Sequence, residues 1–359
     1  MTLVNRITIR RRYAFKDYMD ARLKKYFKSE GILKVSFAGE PAIDTGGPRR
    51  EFFTECLNYI QRKLFNETGF PVVNVQALAN EEFKVAGEII AASIVQGGPA
   101  PCLFSSQVYN YIVHGISSVH AHNWCEQLKD DTIKITVEKI KSCANDDDLV
   151  AFLEEDLTMN VLQVIGYCGI PSKESRETSD KIIRSLVISD VSKTLAIIDQ
   201  LISGLELHGV LTELRKNRTV MEPLFTIDGA QKFSVTADHI LDHILIECSP
   251  EGSNQKLLEI NIHKFFCDYI QALEAKTGAK NSLSALYKFI TGVETVTPLG
   301  MEKTITVKFK HGCKAGCRCR PTASTCATSL TLPVHIDDSK QFEDLMDATL
   351  AESSGFGFI

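Results

Sequence analysis

Two groups of cysteines in the last fifty residues carry the side chains that nucleophilic or metal chemistry requires. Cys326 closes the run Pro321-Thr322-Ala323-Ser324-Thr325-Cys326, near the start of an apolar stretch that ends at Leu332-Pro333. A thiol of ordinary pKa, about 8.5, is only a few per cent thiolate at neutral pH, and nearby cations enlarge that share. Arg318 and Arg320 stand close in the sequence. Taken alone, a single cysteine is more often a small buried apolar residue than a nucleophile. His335 would make a base for it only if the fold paired the two. The second group is His311, Cys313, Cys317 and Cys319, four soft ligands within nine residues. Their C-x3-C-x-C spacing fits none of the usual zinc patterns, and Lys310, Lys314, Arg318 and Arg320 would repel a dication. The expectation is therefore an exposed basic loop, open to oxidation and holding no metal.

Two further patterns need an account. Asp44-Thr45-Gly46, after the apolar pair Ala42-Ile43, has the form of half an aspartic protease site. That chemistry needs two carboxylates sharing one proton, and the chain holds no second copy. The segment also runs directly into a helical pattern, so Asp44 reads as a cap on the backbone N–H groups of a Gly-rich turn. The tail Gly355-Phe356-Gly357-Phe358-Ile359 is apolar where chains ordinarily fray, which predicts docking into a groove.

The elements that must position these residues follow from periodicity. Helical spacing is expected through Phe15, Tyr18, Met19, Leu23, Tyr26 and Phe27, and a half-buried strand at Leu33, Val35 and Phe37. A helix follows through Phe53, Cys56, Leu57, Ile60 and Leu64. Another runs from Phe83 to Ile94 and stops at Gln96-Gly97-Gly98-Pro99. Residues 105–248 read as mostly helical, with breaks at Gly169–Ser172 and Asn217–Asp228. Beyond Ser249-Pro250-Glu251-Gly252-Ser253-Asn254, the richest cluster of turn formers, the pattern gives two helices, a strand at Ile305, Val307 and Phe309, and a last helix capped by Asp338 or Ser339.

The 359 residues suffice for two or three domains. A formal net charge of −5 argues against nucleic acid as the default partner, and the basic run from Arg6 to Lys28 reads as a solvated helix face. Neither a signal-peptide core nor an apolar run of bilayer length is present, so no membrane partner is expected. The 11 cysteines, an odd number, are expected to be reduced thiols in a soluble intracellular protein.

In order along the chain, several of these segments resemble the HECT domain of ubiquitin ligases. They are Leu33–Glu40 with Ile43-Asp44, Gly46-Gly47 and Arg50-Glu51-Phe52-Phe53; Phe83 to Pro101; Leu286–Gly292 with Pro298-Leu299-Gly300; and Pro321-x-Ala323-x-Thr325-Cys326 with Leu330, Leu332 and Pro333. The resemblance accounts for the Asp-Thr-Gly pattern and gives Asp44, Arg50 and Glu51 a structural role at the helix start. It implies an α+β, bilobal fold: a mostly helical N-lobe at 1–248 that docks a ubiquitin-conjugating enzyme, a hinge at 249–255, and a small α+β C-lobe at 256–359. Cys326 would carry ubiquitin as a thioester, Thr325 would orient the nucleophile, and Phe356 would assist transfer to a substrate lysine. Ubiquitin, the conjugating enzyme and protein substrates are the implied partners, no cofactor is implied, and the expected location is cytoplasmic or nuclear. Residues 105–245 show few of the family's landmarks. Ser324 stands where many members have histidine, and Ala327-Thr328 replace the common Phe-Asn.

Overall fold

The computed structural model describes residues 3–40, 46–143, 145–167, 175–275, 281–301, 303–313, 317 and 319–353. They form a mixed α+β structure in which helices outweigh two small sheets, and the chain divides into two compact units. One is built from Met1–Ile60, Glu88–Cys102 and Gly229–Ile359, the other from Gln61–Gly87 and Leu103–Asp228.

The first unit begins with a strand that the periodicity of the N-terminus did not announce. β1 (Val4–Ile9) pairs in parallel with β2 (Ile32–Phe37), and α1 (Ala14–Arg22) makes the crossover. Alternation places Ile7 and Ile9 beside Leu33, Val35 and Phe37 in the core, while Thr8 and Lys34 face water. α1 stops at Arg22, short of the expected Phe27, and leaves Leu23 and Tyr26 exposed. Most of the basic run is exposed, as expected, but it spans a strand, a turn and a helix, and Arg11 and Arg22 turn inward. Arg11 reaches Glu40 at 2.6 Å and also binds Glu51, with its guanidinium 4.0 Å over the Phe37 ring, and Arg22 pairs with the buried Glu88 at 2.6 Å. Paired acids rather than solvent thus neutralise these arginines. α2 (Gly47–Leu64) buries Phe52, Phe53, Cys56 and Ile60, the stripe that its 3.6 period predicts.

Within the same unit, a second sheet has the order β3 (Ile244–Ile246), β4 (Ile305–Lys310), β6 (Ser329–Pro333), β5 (Thr322–Ser324). β3, β4 and β6 run parallel, and β5 returns antiparallel to β6. Helices Asn254–Ala275, Leu283–Thr291 and Ser339–Ser353 enclose its core, in which Phe266, Leu286, Ile290, Val307, Leu330, Phe342 and Met346 are buried. The Asp338 carboxylate accepts from the Gln341 amide at 2.9 Å, so the last helix starts where expected. This core also takes in Val235, Ala237 and Ile240, so the 249–255 segment lies inside the first unit, following β3 and running into the first turn of the helix Asn254–Ala275.

The second unit is helical. Caps set several of its helix starts: Ser105 accepts from the Val108 amide, and Asp130 accepts from the amides of Thr132 and Ile133. Its longest helix, Ser175–Leu205, passes Gly87 so closely that a Cβ there would lie 2.3 Å from the Leu201 carbonyl oxygen. Phe65, Phe104 and Phe225 form an aromatic chain with ring centroids 5.4 and 6.2 Å apart. The break expected at Asn217–Asp228 instead contains the helix Arg218–Phe225, because burying Phe225 in that chain outweighs the local turn signals. The break expected at Gly169–Ser172 lies outside the described residues. Among the described residues, no single helix is long and apolar enough to cross a membrane.

Candidate active site

Cys326 occupies the turn of a short hairpin. β5 and β6 pair from Thr322 opposite Thr331 to Ser324 opposite Ser329, which leaves Thr325-Cys326-Ala327-Thr328 as the connection. The Ala327 amide donates to the Ser324 carbonyl at 3.1 Å, closing the turn. Thr328 completes it with φ 51, in the left-handed region where a β-branched residue is strained, and its buried hydroxyl has no hydrogen-bond partner among the described residues. Asparagine, the residue that the HECT resemblance places here, tolerates that region far better than threonine.

The first turn of α2 meets this hairpin directly. A Cβ on Gly47 would stand 2.6 Å from the Thr325 carbonyl carbon and 2.7 Å from the Cys326 amide nitrogen, so only glycine permits the approach. Arg50 secures it. Its side chain is buried, its Nε donates to the Thr291 carbonyl at 3.0 Å, and its Nη2 donates to the Thr325 carbonyl at 2.9 Å. Thr291 ends its helix at Gly292, whose φ of 86 suits glycine alone and whose α-carbon faces the Gly47 carbonyl. Next along α2, Glu55 takes an ion pair from Lys288 at 3.0 Å, and Lys288 is shared with Glu294 at 2.8 Å. Lys303 donates from Nζ to the Cys326 carbonyl at 2.9 Å.

These contacts revise several expectations. Arg50 does not merely hold its own helix start; it ties together three segments distant in sequence. The only advance sign was its place in the Gly-Gly-x-x-Arg-Glu pattern. Gly47 entered only as part of that pattern, with no role of its own, and Lys303 was not singled out, because a lysine in a loop carries no local signal. Arg320 pairs with Glu352, while Arg318 lies outside the described residues. Asp44 and Phe356 also lie outside them. Thr325 adjoins Cys326 as the sequence requires. Its Oγ1 faces Gly47, and its carbonyl is the group that Arg50 holds. Cys326 is half-buried, and the described cysteines are all thiols.

Three other cysteines gather at the far end of β5. The sulfurs of Cys313, Cys317 and Cys319 lie within 4.8 Å of one another. Cys313 Sγ is 3.3 Å from Cys319 Sγ, which in turn lies 3.7 Å from His335 Nδ1. His335 therefore faces this cluster. His311, expected to be the cluster's histidine, is instead engaged through Nε2 by Glu259 at 2.5 Å. Burial alone would raise the Glu259 carboxyl, but the Ser249 hydroxyl and amide together with His311 hold it below the ordinary carboxylate range. In the thiol cluster, hydrogen bonds from Cys319 hold Cys317 below the usual thiol range, whereas burial and the neighbouring sulfurs push Cys319 up.

No family model matches the chain. Among curated proteins it is similar to the G2/M phase-specific E3 ubiquitin-protein ligase of Gallus gallus, 24% identical over 294 residues that cover 80% of this chain and 38% of the relative. The Homo sapiens protein of the same name is 20% identical over 361 positions, covering 96% of this chain and 46% of its own length. E3 ubiquitin-protein ligase UPL1 of Arabidopsis thaliana is 22% identical over 380 positions, covering 98% and 10%. The chain thus spans less than half the length of each of these relatives.

Proposed function

We propose that this chain, a distant relative of HECT-type E3 ubiquitin-protein ligases, is the catalytic region of such an enzyme and that Cys326 is its nucleophile. The observation that carries the reading is the position of Cys326 at the tip of the β5–β6 turn, in the Ala323-x-Thr325-Cys326 context, with Arg50 and Lys303 on the flanking carbonyls. The Cys326 thiolate attacks the thioester carbonyl of ubiquitin on a conjugating enzyme, and the conjugating enzyme's cysteine leaves as a thiolate. A new thioester of nearly equal energy results, so the step depends on positioning more than on driving force. A substrate lysine amine then attacks that carbonyl, the Cys326 thiolate leaves, and an isopeptide bond remains. Thr325 positions the nucleophile. Phe356 in the tail helps to align the second step.

Two acceptors in succession require two docking geometries. In this reading residues 1–248 and 256–359 act as two lobes, with 249–255 as the hinge, and the Arg50 contacts are one resting position of the catalytic turn. Incubation with a panel of ubiquitin-charged conjugating enzymes tests the proposal. A ubiquitin adduct that reductant removes is expected with wild type and is absent with Cys326→Ala. Deleting Gly355 onward is expected to spare loading and slow discharge to lysine.

A second reading, a scaffold that keeps the fold but transfers nothing, draws on the divergence of residues 105–245, where the conjugating enzyme would dock. No adduct with any charged enzyme, from protein that melts cooperatively, would support it.

A further inference from the structure

We propose that Cys313, Cys317, Cys319 and His335 form a structural zinc site, with three thiolates and the histidine Nδ1 as a tetrahedral ligand set. The spacing along the chain gave no reason to expect one, because the fourth ligand is neither His311 nor any residue near the cysteines. It is supplied by the sheet. β4 and β6 run parallel, and their last paired residues are Lys310 and Pro333, with the Val334 amide donating to the Lys310 carbonyl at 3.2 Å. The chain therefore leaves both strands at the same end, Cys313 shortly after β4 and His335 shortly after β6. β5 is antiparallel to β6 and begins opposite Thr331, so Cys319, just ahead of β5, arrives at that end too.

The distances suit the ion. With Zn–S near 2.3 Å and Zn–N near 2.05 Å, a tetrahedral site separates its sulfurs by about 3.8 Å and a sulfur from a nitrogen by about 3.5 Å. Here Cys313 and Cys319 are 3.3 Å apart and all three sulfurs fall within 4.8 Å of one another, while His335 Nδ1 is 3.7 Å from Cys319 but stands farther than 4.8 Å from at least one of the other two sulfurs. Closing the set requires small adjustments of the half-buried thiols and a larger swing of the His335 ring toward them.

The basic flanks, which counted against a metal on sequence grounds, take the opposite sign once the ligand set is known. Three thiolates around one Zn²⁺ leave a net charge of −1, and Lys310 at the end of β4 supplies counter-charge beside them. Binding displaces three thiol protons to solvent, so affinity falls in acid. The site lies at the end of β5 away from Cys326 and would fix the strand that presents the nucleophile without touching it. Zinc binding here is independent of ubiquitin transfer.

The whole chain, purified under reducing conditions without chelator and supplied with zinc, tests it by elemental analysis. About one tightly held equivalent is expected. Replacing zinc with cobalt should give thiolate-to-metal charge transfer and the d–d absorption of a four-coordinate ion. Cys317→Ser and His335→Ala should lose the metal, whereas His335→Cys, which restores a four-ligand set, should retain it. Because a variant that fails to fold also loses metal, the wild-type cobalt spectrum is decisive in its own right. Wild type that takes up no zinc under reducing conditions, or a cobalt spectrum without thiolate charge transfer, overturns the proposal. So does His335→Ala holding zinc as tightly as wild type, or a Cys313–Cys319 disulfide in the zinc-supplied protein, read from intact mass.

Discussion

At one end of β5 a single thiol, Cys326, sits in a turn whose carbonyls are bound by Arg50 and Lys303; at the other end three sulfurs face one another and the His335 ring adjoins one of them, Cys319. Both groups lie in connections of the same small sheet, and both are half-buried. What separates them is the partners that the topology delivers. Around Cys326 the donors spend themselves on backbone oxygens and define where the turn sits. Around Cys319 the neighbours are themselves ligand atoms. The chemistry open to a cysteine is thus set by which atoms surround the sulfur, and residue type alone does not distinguish the two ends.

The sharpest break in this comparison is Cys326→Ala, which should abolish the reductant-sensitive ubiquitin adduct outright, while Cys313→Ala, Cys317→Ala and Cys319→Ala each retain it. An adduct that survives in Cys326→Ala would place the nucleophile elsewhere. Arg50→Ala comes next. It removes two charge-assisted hydrogen bonds from a buried side chain and should destabilise the turn's attachment by about 3 kcal/mol. Arg50→Lys should rescue little, since a point charge cannot serve two divergent carbonyls. Amide exchange at Thr325–Thr328 reads this locally, and unchanged protection would count against Arg50 as the clamp.

Gly47→Ala forces a methyl into the space of the Thr325 carbonyl and should cost about 1–3 kcal/mol, again as faster exchange confined to the same turn. Glu259→Gln addresses the other end of β5, because it loosens His311 and Ser249, and should cost about 1–2 kcal/mol near neutral pH. The folded Glu259 carboxyl sits below its ordinary value of about 4.3. Its contribution is therefore complete above that ordinary value and is lost as pH falls through the lower folded one. Wild type and variant should converge in stability in acid, and a gap that widens there would contradict the assignment. The smallest effect is expected at Thr328→Gly. Relief of the strain at φ 51 and removal of an unpartnered hydroxyl offset the lost contacts, leaving stability within about 1 kcal/mol of wild type. A loss above about 2 kcal/mol in a thermal melt would show that the hydroxyl has a role in the turn.

The amino-acid sequence by itself determined what depends on neighbours a few residues away. The 3.6 period of Phe53, Cys56, Leu57, Ile60 and Leu64 produced α2, alternation at Ile305, Val307 and Phe309 produced β4, and Asp338 capped the final helix. It also brought Thr325 and Cys326 together, since adjacency needs no fold. β1 escaped notice because one of its three buried positions is polar: Asn5 points inward and is satisfied there by the Lys28 backbone at 2.6 and 3.0 Å. The tertiary structure alone decided the rest. Arg50 meets Thr325 across 275 positions of chain, and His335 rather than His311 joins the cysteines. Such pairings depend on strand order and on which strand ends share an edge of the sheet. Those are properties of long-range burial, and no spacing rule along the chain encodes them.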